Sequence, residues 1–490
     1  MYQKNKKKLR ITLLAVTFLM LAQVQGVRAQ ENEVSLFSIE QFTFKAENGD
    51  DIKAEKGILY VPEKRDNSKS RLIPINFVRF KSFSKKPGSP IVYLAGGPGG
   101  SGIQVARGAY HSLFKPMLEV ADVIVFDQRG TGEQSMVCPD KIFLPMDRSA
   151  SRNEMLDIFI KGSMKCKEYW ESKGYDLSGY TTVESAHDVD DLRKALGIKK
   201  ISLIGSSYGS HYALAILKLH ENSIDRVVIA GIEGLNHTLK LPSSYDRHLD
   251  DLNTLVQLDP MLSAKIPDLK EMLSEVLQQL EKESKHVIIV DKKSGENIEV
   301  VVGKFEVQLL ISSLSGRRSL GIIPAMIYNM HRGDFTDLAT MINMLKRKGL
   351  SLSAMTVMMD GASGASKARL KQISNEAKTS LMGQVMNFPF PEVGNAWGAP
   401  DLGDAYRANV ISKRPVLIIS GTMDARTPII NGEETAKRLS NSQQLIVKGA
   451  YHPPSFTDKN IQERIINFLK GQPFSTLPIE GSKINFKAID

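Results

Sequence analysis

Cysteine and tryptophan are scarce, with two of each in 490 residues. No cysteine occurs in the first thirty residues, which argues against a lipid-modified N-terminus. After that leader region, no segment has the ~20 consecutive apolar residues that a membrane-spanning helix needs. Nor is there a basic stripe with interleaved aromatics, so nucleic acid is a poor candidate partner. Charged stretches such as Glu281 to Lys285 and Asp291 to Lys293 mix both signs and read as solvated surface. Internal repeats and low-complexity tracts are also missing.

The formal charge of +10 does not imply a basic protein throughout. Lys4, Lys6, Lys7, Lys8, Arg10 and Arg28 lie in the first 29 residues, which hold no acidic residue. These lysines precede the short apolar run Ile11 to Ala22, and Val27-Arg28-Ala29 offers small residues for cleavage before Gln30. The pattern predicts a signal peptide over 1–29 and an exported protein, periplasmic or secreted. An uncleaved anchor is the alternative, and the shortness of the run argues against it.

The remaining ~460 residues exceed one ordinary core, so two structural units are expected. The two cysteines, Cys138 and Cys166, suggest one disulfide in an exported chain. Two buried thiols are the alternative.

Residues 57–62 and 73–80 are β-rich runs separated by a polar stretch, and predict an antiparallel pair. Short continuous apolar runs then follow at 91–95, 123–126, 201–204, 227–230, 415–419 and 445–447. Such runs, bounded by turn residues, suit strands buried on both faces. Helical stretches such as 184–196 and 211–219 separate several of them. The expected fold is therefore α/β, with a mostly parallel sheet, helices on both faces and N-terminal antiparallel strands. From about 240 to 405 the rhythm gives way to helix formers plus one hairpin, 286–290 with 299–302. The predicted organisation is a core at 30–239, a mainly helical lid at 240–405, a second core part at 406–475 and a tail at 476–490.

Gly205-Ser206-Ser207-Tyr208-Gly209 follows an apolar strand and opens a helical pattern. That is the context of a nucleophile elbow, in which a sharp turn lifts the serine hydroxyl off the sheet. The helix N-terminus favours negative charge there. A serine needs a base, and the order Ser, Asp, His is the one this fold uses. Asp424 lies just beyond the strand at 415–419, and His452 just beyond that at 445–447. Both sit where open α/β sheets place their catalysts. Asp404 is the competing acid, but it follows no strand. The string Gly96-Gly-Pro-Gly-Gly-Ser-Gly102 follows the strand at 91–95 and suits an oxyanion loop. Gly97, with Gly96 as fallback, and Tyr208 would donate their backbone N–H groups.

The same string has a rival reading. Gly97, Gly99 and Gly102 match G-x-G-x-x-G after a strand, and Asp127 ends the next one. A dinucleotide-binding oxidoreductase is thus the remote alternative. It would leave the settings of Ser207, Asp424 and His452 as three coincidences.

Together with Asp127-Gln-Arg-Gly-Thr-Gly-Glu-Gln-Ser135, Tyr180-Thr-Thr-Val-Glu-Ser-Ala-His-Asp188 and Gly421-x-x-Asp424-x-x-Thr-Pro428, these motifs resemble the proline iminopeptidase and tripeptidyl aminopeptidase branch of the α/β hydrolases. The resemblance covers roughly 55–235 and 410–470. It implies an α/β-hydrolase fold, no cofactor, no metal, and a serine peptidase that releases N-terminal residues or short peptides. Ala95 stands where many relatives have histidine, and Tyr208 where typical proline iminopeptidases have tryptophan. Both point to the tripeptidyl-type subgroup and away from strict proline specificity. Relatives hold the substrate's free amine with acidic residues, and Glu233, in Ala230-Gly-Ile-Glu-Gly234, is the candidate here. A carboxylester hydrolase on the same scaffold is the alternative, because fold and triad do not fix the substrate.

Overall fold

A computed structural model describes residues 36–291, 295–314, 317–481 and 483–489. The expected signal peptide lies outside them. Ten strands form one sheet in the order β1-β2-β3-β5-β4-β6-β7-β10-β11-β12. β1 (Phe37–Lys45), β2 (Asp51–Pro62) and β3 (Leu72–Phe80) run antiparallel to their neighbours, and β3 pairs antiparallel with β5 (Val123–Phe126). From β5 onward, through β4 (Ile91–Leu94), β6 (Ile201–Ser207), β7 (Ile224–Ile232), β10 (Val416–Gly421), β11 (Ser442–Lys448) and β12 (Ile479–Glu480), every pairing is parallel. The fold is that of the α/β hydrolases. The antiparallel part has three strands where the sequence predicts two.

The continuous apolar runs have a simple cause. β4, β5 and β10 are buried at every position. Alternate residues of each strand enter different cores. Val92, Leu94, Ile124, Leu203, Val227 and Ile418 face one apolar cluster. Ile91, Tyr93, Val125, Ile204, Val228 and Leu417 face the other. Helices Thr182–Ala195 and Tyr208–His220 cover the first face, and helices Gly102–Ala109 and Lys459–Lys470 the second.

Between β7 and β10 the chain is mainly helical, with the antiparallel hairpin β8 (Lys285–Val290) and β9 (Asn297–Val302). Most of its buried apolar residues, among them Leu249, Leu273 and Met355, belong to the same cluster as the first sheet face, while Leu239, Ala365 and Ile373 form a small cluster of their own. Cys138 and Cys166 are joined in a disulfide that closes a 28-residue separation and ties the loop after β5 to helix Arg152–Ser172. No helix among the described residues is long and apolar enough to cross a membrane.

Candidate active site

In a parallel sheet all strand C-termini lie on one side, and the candidate residues gather there. Ser207 ends β6, and the next residue starts helix Tyr208–His220. To make that change of direction, Ser207 adopts φ 56° and ψ −130°. Among the described residues it is the one non-glycine with positive φ. The residues two positions away on either side must be glycines for steric reasons. A Cβ on Gly205 would strike the Gly209 carbonyl, and one on Gly209 would strike the Leu94 carbonyl.

His452 Nε2 lies 2.9 Å from Ser207 Oγ. His452 Nδ1 lies 3.0 and 2.9 Å from the two oxygens of Asp424. Asp424 is buried, and it accepts from the N–H groups of Arg426 and Thr427 at 3.0 and 2.8 Å. The Thr427 hydroxyl donates to Asp424 Oδ2 at 2.6 Å and lies 2.9 Å from His452 Nδ1. Three oxygens therefore surround Nδ1. They place the proton of the neutral imidazole there and leave the Nε2 lone pair facing the serine. The competing acid, Asp404, sits in helix Gly403–Arg407, exposed and 3.6 Å from Arg407.

The glycine string packs against Ser207. A Cβ on Gly96 would stand 3.6 Å from Ser207 Cβ. Gly97, at φ +127°, lines the same cavity as Ser207 and His452. The loop is held from both ends. Ser101 caps helix Gly102–Ala109 and donates to Asp127 Oδ1 at 2.5 Å, an oxygen that also accepts from Ile103 N–H at 3.2 Å. On the other side the Thr356 hydroxyl, from helix Ala354–Ser363, donates to the Pro98 carbonyl at 3.0 Å. Arg129 is fully buried and bidentate to Asp188 at 2.6–2.7 Å, so it fixes the turn after β5. The Tyr208 ring is buried, and its hydroxyl accepts from Gln128 Nε2 at 3.1 Å. Its backbone N–H is at the first position of the helix that follows Ser207.

The cavity over Ser207 is small, about 180 Å³. Glu233, Lys240, Asp360, Arg426, Met386 and Phe390 are in its wall. Glu233 thus reaches the site, but it already holds a partner. Lys240 Nζ donates to it at 2.5 Å and also to the carbonyls of His237 and Thr238 at 3.0 and 2.9 Å. Despite burial, the Lys240 ammonium beside it holds the Glu233 carboxyl below its ordinary range. Asp360 behaves in the opposite way. Burial, reinforced by the Glu233 charge, pushes its carboxyl up to about 8, so it is protonated at neutral pH. Burial likewise pushes the His211 imidazole, packed behind Glu233, down to about 4. Among the described residues no group of three metal-ligating side chains is arranged to hold a metal ion.

Lys240, Asp360 and Arg426 are not singled out by the sequence, and Thr427 enters there only as a position of the motif around Asp424. Asp360 carries the one usable signal, a lone carboxylate in the otherwise uncharged run Ala354-Met-Thr-Val-Met-Met-Asp-Gly-Ala-Ser363.

Residues 89–260 match the alpha/beta hydrolase fold family, and residues 392–473 match the family described as TAP-like protein. The chain is 25% identical over 233 residues to serine protease Hip1 of Mycobacterium tuberculosis, a stretch covering 45% of each chain. It is 29% identical over 150 residues to a tripeptidyl aminopeptidase of Streptomyces lividans, 29% of this chain and 28% of that one. With a proline iminopeptidase of Arabidopsis thaliana the identity is 26% over 178 residues, 36% of each. The matched stretches span less than half the length of these relatives. The chain belongs to the α/β hydrolases, and its matched stretches are similar to those of tripeptidyl aminopeptidase and proline iminopeptidase relatives.

Proposed function

We propose that this protein is an exported serine aminopeptidase in which Ser207 is the nucleophile, His452 the base and Asp424 its orienting acid. The observation that carries the reading is the unbroken chain of short contacts from Asp424 through His452 to Ser207 on a strained elbow. His452 takes the Ser207 proton as Oγ attacks the substrate carbonyl. The oxyanion that forms is held by the N–H groups of Gly97 and Tyr208. His452 then protonates the leaving amine, and water clears the acyl-enzyme. The disulfide supports the export assignment, since such bonds persist in oxidising compartments. Residues 240–405 act as a lid whose inner surface supplies Lys240, Asp360, Met386 and Phe390 to the cavity.

Two features favour a free N-terminal amine as the group recognised. Asp360 is a half-buried carboxyl with no hydrogen bond to its side chain among the described residues, and an arriving ammonium can replace its proton. Glu233 joins it as the second acidic wall, with its charge shared by Lys240. The cavity volume of about 180 Å³ suits the acyl part of one residue better than three. The deciding experiment is a fluorophosphonate labelling of the purified protein followed by a panel of aminoacyl, tripeptidyl and N-acetyl amides and simple esters. Labelling at Ser207 with fastest turnover of free-amine aminoacyl amides is the expected result. Fastest turnover of esters, indifferent to a free amine, would put the ester-hydrolase reading in its place.

A further inference from the structure

The loop 422–428 has two sides. Arg426 and Thr427 line the catalytic cavity, whereas Thr422, Met423, Asp424 and Pro428 line a second cleft of about 360 Å³. Its opposite wall is one face of helix Pro242–Gln257, where Arg247, His248, Asp251 and Leu255 follow at helical spacing.

His248 is 3% exposed, and neither of its ring nitrogens has a hydrogen-bond partner. Buried polar groups are rarely left so, because desolvation without a partner is unfavourable. Burial pushes the imidazole down to about 4, opposed by the nearby Asp424 carboxylate, so the ring is neutral, with one donor and one acceptor to offer. At the mouth, Arg247 is exposed, and it makes no hydrogen bond or ion pair with the described residues. Asp251, one turn further on and half-buried, makes no hydrogen bond or contact ion pair with the described residues, and the nearby Arg247 charge is the main one that favours its ionised form. Leu255, Met423 and Ile429 supply apolar surface beside these charges.

We propose that this cleft binds a free α-amino acid, with the carboxylate on Arg247, the ammonium on Asp251 and an apolar side chain against Leu255, Met423 and Ile429. His248 backs the wall between the two charges, its ring packed on Tyr245 at 5.3 Å. One cation, one anion and an apolar wall match the three parts of such a zwitterion. The planar guanidinium suits a carboxylate in particular. The site stands on its own residues. The peptidase reading adds only a source, since a single released residue is this class of ligand, and the occupant would rest against Met423 and Asp424.

Calorimetric titration of leucine tests it, using protein already labelled with a fluorophosphonate so that the catalytic cavity is closed. Binding at one site is expected. Arg247→Gln and Asp251→Asn should each weaken it at least tenfold, as should replacing leucine by N-acetyl-leucine or leucinamide. Arg247 is exposed, so its variant keeps the fold, which thermal melting verifies. Absence of binding, or equal binding by both variants, overturns the site. If the label fails to attach, the Ser207 reading falls, and the same titration on unlabelled protein with the two variants still decides the cleft.

Discussion

The Thr427 hydroxyl lies 2.9 Å from His452 Nδ1 while it donates to Asp424 at 2.6 Å. One side chain thus holds both the acid and the base. Thr427→Val keeps the volume but removes a charge-assisted hydrogen bond, worth roughly 1.5–3 kcal/mol. The expected result is a kcat lower by about tenfold to a hundredfold. KM should stay within about twofold, since Thr427 positions His452 rather than substrate. Thr427→Ser should restore most of the rate, an outcome that a loss of packing alone would not give. Steady-state kinetics on the best amide substrate decides.

In the proposed mechanism Ser207 serves both chemistry and geometry. Ser207→Ala should abolish fluorophosphonate labelling and lower turnover by about 10⁴-fold or more. Undiminished turnover would remove Ser207 from the mechanism. Ser207→Gly should be equally inactive yet more stable than Ser207→Ala by about 1 kcal/mol, because glycine tolerates φ 56°. Urea unfolding of the two inactive variants measures the difference.

The acidic wall predicts a pH dependence. Facing Asp360 are Glu233, Lys240 and Arg426. Below about pH 8 its carboxyl keeps a proton that an arriving ammonium must displace. KM for a free-amine substrate should therefore fall as pH rises from 6 to 8, and KM for an N-acetyl or ester substrate should not. Asp360→Asn should abolish that trend and cut kcat/KM on free-amine substrates by about tenfold to a hundredfold, or about 1.4–2.8 kcal/mol. Glu233→Gln should do the same to a smaller extent, since Lys240 already shares its charge. Equal losses on both substrate classes would assign either residue to the fold.

The sign for stability is opposite to the usual carboxylate case. Folded, Asp360 binds its proton up to about pH 8, and in the unfolded chain only up to about 4. The folded state thus holds the extra proton between these values, and this contribution to stability is lost as pH rises through 8. Asp360→Asn should flatten the decline in melting temperature between pH 6 and 8.

The Cys138–Cys166 bridge should appear as one intact disulfide in mass spectra of non-reduced, alkylated protein. Replacing both cysteines by serine should cost roughly 3–4 kcal/mol of stability in the chain-entropy model. Catalytic constants at a temperature well below melting should be unchanged, because the bridge lies away from the cavity wall.

What could be read in advance follows from burial. β4, β5, β6, β7 and β10 have apolar residues on both faces, so they stand out as runs, and the residues that follow them stand out as candidates. In β1, Phe37-Ser-Ile-Glu-Gln-Phe-Thr-Phe-Lys45, the side chains are mostly exposed and no such run appears. β12 is two residues long and is held by its pairing with β11. The cavity wall was legible only where it follows a core strand, as with Glu233. Lys240, Asp360 and Phe390 come from segments far apart in sequence, brought together by helix packing that no local period encodes. Nor does a motif announce that Lys240 takes part of the Glu233 charge.

Thr356 and Asp360 stand one turn apart on helix Ala354–Ser363. The first grips the Pro98 carbonyl of the glycine loop, and the second faces the substrate cavity. In the proposed mechanism a single helix thereby carries the sensor for one end of the substrate and a brace for the loop beside the reacting carbonyl. Whatever displaces the helix relaxes both together. A ligand that leaves Asp360 unsatisfied would then be turned over slowly even when saturating, so selectivity would be written in velocity as much as in affinity.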